Sequence, residues 1–388
     1  MTLIERLHAQ RQWGEDERLV LDQVKRAVDE VIAPAAAGYD KSGTFPANSI
    51  AALNKLGMNG IFVPVKYGGT PMSYRLYLEC VSIISAGCAS TGIIYATNFH
   101  GMKPLIDIGA EEQKARLLPR IAAGGLASLA ITEPTAGSDA TGMRTRFTPE
   151  GDNIVINGVK TFISNGDVAE LILLFGKWSE IGDARGSISA LILEKDTSGF
   201  SVGPKEDKMG HCAAPTVSLT FDGCSVSRAN LLGEPGDGLK ILLAALNKSR
   251  PSVAAHARGI ARAAFADMVA YMNEREQSGR KIIDFQGNQF LLADLASELA
   301  LVEVWIDHVA NLIVQGAQEF GQEASIAKMR ASDLAMRMST EAVQMLGGYG
   351  YCANYRVERL MRDAKITQIW EGTNQVHRQL IGRSFRAK

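Results

Sequence analysis

The sequence lacks the features that would place it in several common classes of protein. No Cys-x-x-Cys pair occurs and the number of cysteines is odd, which argues against a disulfide framework and against a zinc site. His100, His211 and His256 also lack a second ligand four residues away, so we expect no metal site. The start of the chain has no apolar core of signal-peptide length, and no apolar run reaches the roughly 18 residues of a membrane span. Gly-x-Gly-x-x-Gly is absent as well, which disfavours a Rossmann fold.

The chain has no excess of charge of either sign. It carries 41 basic and 42 acidic residues, a net charge of −1, so its composition predicts no nucleic-acid partner and no anionic membrane surface. With 388 residues, 46% of them hydrophobic, it is long enough for a large core and for two or three domains. We expect a cytoplasmic enzyme with reduced thiols at Cys80, Cys88, Cys212, Cys224 and Cys352.

The hydrophobic period changes twice along the chain and divides it into three blocks. Residues 1–125 follow a helical period, residues 126–235 follow the period of two typical of strands, and residues 236–388 return to the helical period. We therefore predict an α+β fold, with an N-terminal helical domain, a middle antiparallel β domain and a C-terminal domain that resembles a four-helix bundle. The helices expected in the two outer blocks span residues 15–37, 73–87, 111–123, 238–272, 291–313 and 322–346.

One turn in the β block has a specific signal. Asn157-Gly158 lies between the apolar runs 154–156 and 159–163, and Asn-Gly in such a position is typical of a two-residue hairpin. We therefore expect the chain to reverse direction there.

Five segments carry residues suited to chemistry, and each also has a plainer explanation. The first, Thr132 to Asp139, follows an apolar strand and contains hydroxyls, a glycine and backbone N–H groups. Such a loop can hydrogen-bond the edge of a heteroaromatic ring or approach a phosphate. Its local chemistry alone favours an ordinary turn.

The second segment contains Phe162 and Ser164, which lie on the same face of a strand because side chains alternate. An aromatic ring beside a hydroxyl suits a flat cofactor, through stacking and a hydrogen bond. A core phenylalanine beside a turn serine is the plainer interpretation.

The third and fourth segments, both in the C-terminal block, could approach a phosphate. The segment Arg275 to Lys281 contains three cations in seven residues, and an arginine guanidinium can bind two phosphate oxygens at once, in a bidentate manner. A solvated, charged helix end would explain the same residues. Gly347-Gly348 follows a long helix and is foremost a C-cap, which would also let a ligand come close to the backbone.

The last segment places a carboxylate, Glu371, between a tryptophan and a glycine, ahead of a helix that begins at Thr373 or Asn374. The apolar neighbours Ile369 and Trp370 should keep this carboxylate poorly solvated, as suits a general base. The alternative is a helix-flanking glutamate beside a cap.

Taken together and in this order, the segments resemble those of the acyl-CoA dehydrogenase family. The shared patterns are T-E-P-x-A-G-S-D, R-x-Q-x-G-R-x-I-x-x-F-Q, Q-x-L-G-G-x-G and W-E-G-T-N-Q, and the resemblance runs from about Asp16 to the C-terminus. It implies the family's α-β-α fold and about one FAD per chain. It also implies the oxidation of an acyl-CoA to the trans-2-enoyl-CoA, with electrons passed to an electron-transferring flavoprotein.

The resemblance implies roles for individual residues. Glu371 matches the catalytic base, and its backbone N–H would help to stabilise the enolate-like oxygen of the substrate. The residues that match FAD contacts are Leu129, Ile131, Thr132, Phe162, Ile163, Ser164, Arg275, Gln277, Phe285, Gln286, Gln344, Gly348, Thr373, Asn374 and Gln375. Those that match contacts with the acyl-CoA are Ser138, Asn247, Arg250 and Gly372. Because Arg275, Gln286, Gln344 and Gly348 match residues that complete a flavin site between subunits, a homotetramer built from dimers is implied.

Some positions depart from the family pattern. Phe162 stands where tryptophan is usual, which keeps the stacking face but removes an N–H donor, and Ser278 replaces a phenylalanine. Asn247 stands where some members carry an acid. Trp370 replaces a common tyrosine and could reshape the acyl pocket. Some members carry their base at the position of Ser249, which is no base, so Glu371 has no rival there.

Two other classes of function stay open at this point. One is an oxygen-using relative on the same scaffold, such as a flavin monooxygenase or a nitroalkane oxidase, which typically lacks the glutamate found here. The other is a scaffold that binds flavin or CoA without catalysis, against which the retained Glu371 counts. The acyl group is open as well.

Overall fold

The structure is a computed structural model that describes residues 3–181 and 185–386. The helices of the first block are α1 (Leu3–Ala9), α2 (Glu15–Ala27), α3 (Ala33–Ser42), α4 (Ala47–Lys55), α5 (Tyr74–Gly87), α6 (Ala89–Ile108) and α7 (Glu111–Ala122). A π-helical turn at Val28–Ile32 joins α2 to α3, so the helix predicted from residue 15 is continuous and runs beyond residue 37. The helices predicted at 73–87 and 111–123 are confirmed, with Ser73 as the N-cap of α5. The sequence did not predict α6, which is buried on nearly every side and therefore has no polar face to set a period.

The middle block forms an eight-stranded sheet in the order β6-β7-β3-β2-β4-β5-β8, with β1 paired to β4. The strands are β1 (Ala127–Ala130), β2 (Arg146–Glu150), β3 (Asn153–Ser164), β4 (Leu171–Trp178), β5 (Ile188–Glu194), β6 (Phe200–Lys205), β7 (Thr216–Ser227) and β8 (Leu231–Leu232). The β1–β4 and β2–β4 pairs are parallel and the other pairs between these strands are antiparallel. The predicted β domain is thus confirmed, although its sheet is mixed rather than wholly antiparallel.

The predicted hairpin at Asn157-Gly158 is wrong. Strand β3 runs through both residues, and its pairing with β7 shifts between Ile156 and Gly158, as at a β-bulge. The side-chain oxygen of Asn157 accepts a hydrogen bond from the N–H of Gly223 at 2.8 Å, which ties the bulge to the neighbouring strand. The chain reverses instead between β2 and β3, at Gly151 with a φ of +60°. The long pairing with β7 outweighs the local turn preference.

The third block is helical again. It contains α8 (Gly238–Glu274), a short hairpin of β9 (Glu276–Gln277) and β10 (Arg280–Lys281), then α9 (Gln286–Val314), α10 (Gly321–Leu346), α11 (Gly348–Tyr351), α12 (Val357–Thr367) and α13 (Asn374–Arg383). The helix predicted at 291–313 is confirmed as part of α9, and its apolar residues Leu295, Leu299, Val302, Ile306 and Val309 are buried on one face. Helix α8 packs against α9 and α10 and also against α5 and α6 of the first block. Of the helices in the described ranges, none is long and apolar enough to cross a membrane.

The two helical blocks share one hydrophobic core, and strand β4 of the sheet is buried on both faces. Leu171, Leu173 and Phe175 of β4 belong to the helical core. The alternate residues Ile172 and Leu174 belong to a separate core inside the β block. This alternation explains why β4 is apolar throughout, and it places the ends of β1 and β3 against the helices.

Candidate active site

Glu371 lies in a tight loop between α12 and α13. Its φ of +52° is in the left-handed region that glycine favours, and Gly372 follows with a φ of +92°. This conformation costs a non-glycine residue roughly 1–3 kcal/mol, and it persists only where the surrounding structure imposes it. The loop ends at Thr373, whose side chain accepts a hydrogen bond from the N–H of Val376 and caps α13, as predicted.

Two helices hold polar partners against this carboxylate. The hydroxyl of Ser249, on α8, donates to Oε2 of Glu371 at 2.5 Å. Nδ1 of His100, on α6, lies 3.7 Å from Oε1, and 17% of the Glu371 side chain is exposed. The carboxylate is therefore shielded on most sides and still reachable.

The sequence suggested that the apolar neighbours Ile369 and Trp370 shield Glu371, but in the structure they do not. Ile369 is 48% exposed. The ring of Trp370 packs edge-on against His211, with ring centroids 5.2 Å apart, and lies 5.7 Å from that of His256. The partners that the structure gives the carboxylate itself are polar.

Arg250 is a buried cation near Glu371. It is 7% exposed, and its Nη1 donates to Oδ1 of Asn247 at 2.9 Å. Burial lowers the pKa of Arg250, while the charge of Glu371 opposes that shift. Its Nε has no hydrogen-bond partner among the described residues. Because a buried N–H left unpaired costs free energy, this group suits a polar or anionic ligand, in keeping with the substrate contacts implied for Asn247 and Arg250.

The buried Lys328 holds the loop that carries Glu371 through two hydrogen bonds. Nζ of Lys328, on α10, donates to the carbonyl of Gly372 at 2.7 Å and to Oδ1 of Asn374 at 3.0 Å. Burial lowers the pKa of Lys328 to about 7, against the opposing attraction of Glu371 and Asp333. The amide nitrogen of Asn374 donates to Asp333 at 2.8 Å. The side chain of Asn374 thus holds the loop, and the flavin contact implied for this residue stays a prediction.

Glu133 organises the loop that follows β1. Its Oε1 accepts hydrogen bonds from Nζ of Lys160 at 2.7 Å and from the N–H and hydroxyl of Thr145 at 3.0 and 2.6 Å. Burial would raise the pKa of Glu133, but the charge of Lys160 and the hydrogen bonds from Lys160, Thr145 and Arg144 together outweigh it, and the pKa is lowered. Lys160 also donates to the carbonyl of Ile131 at 2.9 Å, so the start of the loop is tied to β3 at two points.

The end of β3 presents an exposed ring beside that loop. The N–H of Thr161 donates to the carbonyl of Thr132 at 2.9 Å. The next residue, Phe162, is 63% exposed and has a φ of +58°. An exposed aromatic ring in a strained conformation on a rigid strand fits a flat cofactor that stacks on it. Ile163 is buried in the β core, so only its backbone can make the contact implied for it, whereas Ser164 is half-buried at the strand's end.

One helix connects the two halves of the site. Oδ1 of Asn98, on α6, accepts a hydrogen bond from the N–H of Ala127 at the start of β1. Asn165, just beyond β3, donates to a carbonyl of the same helix. His100 lies two residues after Asn98, so α6 fixes the spacing between Glu371 and the ends of β1 and β3.

The remaining residues of this region lie as follows. Leu129 and Ile131 are half-buried and pack against the helical core. Ser138 and Gln375 are exposed, and Gly372 is half-buried.

Another group of the predicted residues lies on a surface formed by the C-terminal block. Its exposed members are Arg275, Gln277, Gln286, Gln344 and Gly348. Phe285 is half-buried and has the guanidinium of Arg280 3.9 Å from its ring centroid. Arg275 and the residues that flank Gly347-Gly348 line one open groove of about 700 Å³, whose lining does not include Glu371.

Sequence reasoning missed three residues of the site. Ser249 was considered only as an absent base and His100 only as a metal ligand, and their contacts join α6 and α8 to a loop more than 100 residues away. Lys328 had a usable signal, because it lies on the apolar stripe of Ala324, Ala327 and Ala331. A lysine on the buried face of a helix predicts a paired cation.

Comparison with known proteins gives matches along nearly the whole chain. The family models for the N-terminal, middle and C-terminal domains of acyl-CoA dehydrogenase match residues 14–125, 128–224 and 236–385. An acyl-CoA dehydrogenase of Bacillus subtilis is 41% identical over 95% of this chain and 97% of its own.

Solved structures agree with the sequence matches. Butyryl-CoA dehydrogenase from Megasphaera elsdenii superposes with a TM-score of 0.92 at 36% identity, covering 97% of this chain and 99% of its own. A chain from the structure of the electron transferring flavoprotein of Acidaminococcus fermentans superposes with a TM-score of 0.94 at 38% identity, with the same coverage. With its fold, its three domains and its relatives in agreement, the chain belongs to the acyl-CoA dehydrogenase family and is an FAD-dependent oxidoreductase that acts on acyl-CoA.

Proposed function

We propose that the protein desaturates an acyl-CoA between Cα and Cβ, with Glu371 as the base that takes the α-proton. The observation that carries this proposal is the setting of Glu371. Its carboxylate is held in a strained loop, shielded on most sides, and bonded to a hydroxyl that can only donate to it. A carboxylate fixed in this way is placed to accept a proton from a bound ligand.

The proton and the electrons leave the substrate by separate routes. Glu371 takes the α-proton, and the electron pair of that C–H bond becomes the new double bond of the trans-2-enoyl-CoA. The hydride that leaves Cβ would pass to FAD, which would be held beside the substrate by Thr132, Phe162 and Ser164 and would supply the redox chemistry. As negative charge develops on the thioester oxygen, the backbone N–H of Glu371 donates to it. Arg250, with its free Nε, and Asn247 bind the CoA thioester beside the base.

The residues proposed to hold the isoalloxazine ring of FAD are Thr132, Phe162 and Ser164. Their support is geometric, because the loop and the strand that carry them are tied together and Phe162 projects its ring outward. We propose an electron-transferring flavoprotein as the acceptor of the electrons. The likeness to a chain from an electron transferring flavoprotein structure supports this partner.

We also propose that the protein assembles as a homotetramer of two dimers. Arg275, Gln286, Gln344 and Gly348 are exposed, as they must be to complete a flavin site in a neighbouring subunit. Helix α9 also exposes large apolar side chains, among them Phe290 at 61% and Leu301 at 71%, which a neighbour would cover. Light scattering of the FAD-loaded protein should give a tetramer. A monomer with full flavin content would refute the assembly.

The activity is tested with the purified, yellow protein under anaerobic conditions. Butyryl-CoA and a panel of longer and branched acyl-CoAs are added one at a time, and flavin absorbance and the acyl-CoA products are followed. We expect at least one substrate to bleach the flavin and to yield its 2-enoyl-CoA. Turnover of a nitroalkane with oxygen, or a protein that binds no FAD, would contradict the proposal.

A further inference from the structure

The side chain of His100 faces Glu371 in a way that α-proton abstraction alone does not explain. His100 is 4% exposed and lies on α6. Its Nδ1 is 3.7 Å from Oε1 of Glu371, and its Nε2 is 2.5 Å from the hydroxyl of Ser252.

The neighbouring groups determine which ring nitrogen carries the proton. The hydroxyl of Ser252 lies 2.6 Å from the carbonyl of Ser249, and a carbonyl can only accept, so Ser252 uses its proton there. Ser252 must therefore accept from Nε2–H of His100. Burial lowers the pKa of His100, with Glu371 opposing the shift, so the ring is neutral near pH 7. In this tautomer Nδ1 has a lone pair and no proton, and that lone pair faces Glu371.

The lone pair of Nδ1 cannot form a hydrogen bond with an ionised carboxylate, because no proton lies between them. Both groups are acceptors, and their separation of 3.7 Å is longer than a hydrogen bond. Once Glu371 has taken a proton on Oε1, the two acceptors no longer repel each other, and the new O–H can donate to Nδ1 when the two atoms close from 3.7 Å to hydrogen-bond distance. The other oxygen, Oε2, already accepts from Ser249 in the ionised state. Ser249 thus stabilises the ionised form of Glu371 by donating to it, and His100 stabilises the protonated form by accepting from it.

We infer that His100 is a positioning residue that accepts a hydrogen bond from protonated Glu371 and so stabilises the product of α-proton abstraction. The inference rests on the proposed role of Glu371 as the base. The proton stays on Oε1 of Glu371, no bond to His100 forms or breaks, and the hydrogen bond directs the proton to Oε1 rather than Oε2.

Other groups around the pair bear on its pH dependence. Tyr77 faces it from α5, Arg250 from α8, Lys328 from α10 and His377 from α13. These residues stay unchanged in the variants below, so a difference between the variants reports on position 100.

Two substitutions test the two ring nitrogens of His100 separately: the acceptor Nδ1, which faces Glu371, and the donor Nε2–H, which bonds Ser252. His100→Asn places an amide oxygen near the position of Nδ1, which keeps an acceptor for Glu371 but loses the bond to Ser252. His100→Gln places an amide nitrogen near the position of Nε2, which keeps the donor to Ser252 but leaves no acceptor toward Glu371. A merely structural histidine would tolerate glutamine better.

The experiment measures the anaerobic rate of flavin reduction by butyryl-CoA, or by whichever acyl-CoA reduces wild type fastest, over a series of pH values. FAD content and melting temperature are measured for both variants. We expect His100→Asn to be faster than His100→Gln by about tenfold, the value of one hydrogen bond to a reacting group. We also expect the acidic limb of the pH profile to move to lower pH in His100→Gln, because the acid form of Glu371 loses its partner, and to move less in His100→Asn.

The outcome separates this inference from the proposal on which it rests. Equal rates for the two variants, or a faster His100→Gln, would overturn the role of His100. Glu371→Gln serves as the reference: if it reduces its flavin at the wild-type rate, the base itself has been misassigned and the role of His100 falls with it.

Discussion

The hydroxyl of Ser249 and the carboxylate of Glu371 lie 2.5 Å apart, although 122 positions separate them in the chain. Helix α8 thereby holds the proposed base, which the loop before α13 presents. Ser249 is itself no base, but its hydroxyl donates to the carboxylate of the proposed base.

Ser249→Ala should slow flavin reduction by about tenfold, because the carboxylate loses the donor that orients it. FAD content should not change, since Ser249 does not lie at the proposed flavin surface. Ser325→Ala is the matched control, because that hydroxyl is equally buried and donates within its own helix at 2.7 Å. Equal effects of the two variants would show that the loss is one of packing and not of orientation.

Lys328→Met should slow catalysis while the protein keeps its FAD. The substitution removes the donor to the carbonyl of Gly372 and to Asn374, leaving buried acceptors unpaired at a cost of about 1–3 kcal/mol. The strained loop that carries Glu371 should then relax. Stopped-flow reduction, flavin content and thermal unfolding are the measurements, and an unchanged rate would show that Lys328 does not hold the loop.

Lys160→Met should act on the other half of the site. Burial lowers the pKa of Lys160 to about 8, with Glu133 opposing the shift, and the pair is almost fully shielded from solvent. Breaking such a pair typically costs about 3–5 kcal/mol. We expect lower FAD occupancy and a lower melting temperature, with the occupancy recovering when FAD is added in excess. Retention of FAD at the wild-type level would contradict the role given to this pair.

Arg11, just after α1, belongs to a buried ion network with Glu79 of α5 and Arg258 and Arg262 of α8, whose effect on stability should depend on pH. Burial would raise the pKa of Glu79, but Arg262, Arg258 and Arg11 outweigh it and lower the pKa from 4.5 to about 2. Because the folded-state value is the lower one, the stabilisation is complete above pH 4.5 and is lost as the pH falls toward 2.

Glu79→Gln should therefore be less stable than wild type by about 3 kcal/mol at neutral pH, and the difference should shrink on acidification below pH 4.5. Denaturant unfolding at a series of pH values measures it. A difference that is constant with pH would mean that packing, not charge, is responsible.

The sequence predicted most of the fold through its periodic segments. The helices at 73–87, 111–123 and 291–313 followed from the spacing of apolar residues, and W-E-G-T-N-Q singled out Glu371. The hairpin at Asn157-Gly158 failed because pairing with β7, a segment some 60 residues away, decides the conformation there. Local preference is weak against an extended ladder.

The fine structure of the site could not be predicted for the same reason. His100, Ser249 and Lys328 approach the loop of Glu371 from three helices, and their contacts depend on how those helices pack. A motif locates the proposed base in the chain but does not identify the side chains that surround it. Of these three residues, only Lys328 has a signal in the sequence, because it places a charge on the apolar face of a helix.

The most direct test of the account is the anaerobic reduction of the flavin by a good acyl-CoA in Glu371→Gln and in wild type. Glutamine can accept from Ser249 and donate to His100, so the loop should keep its structure while the proton acceptor is lost. With FAD content and CoA binding equal in both proteins, we predict a loss of about 10²–10⁴-fold in the rate of flavin bleaching. If the rate of flavin bleaching in the mutant is within about tenfold of the wild-type rate, Glu371 is not the base.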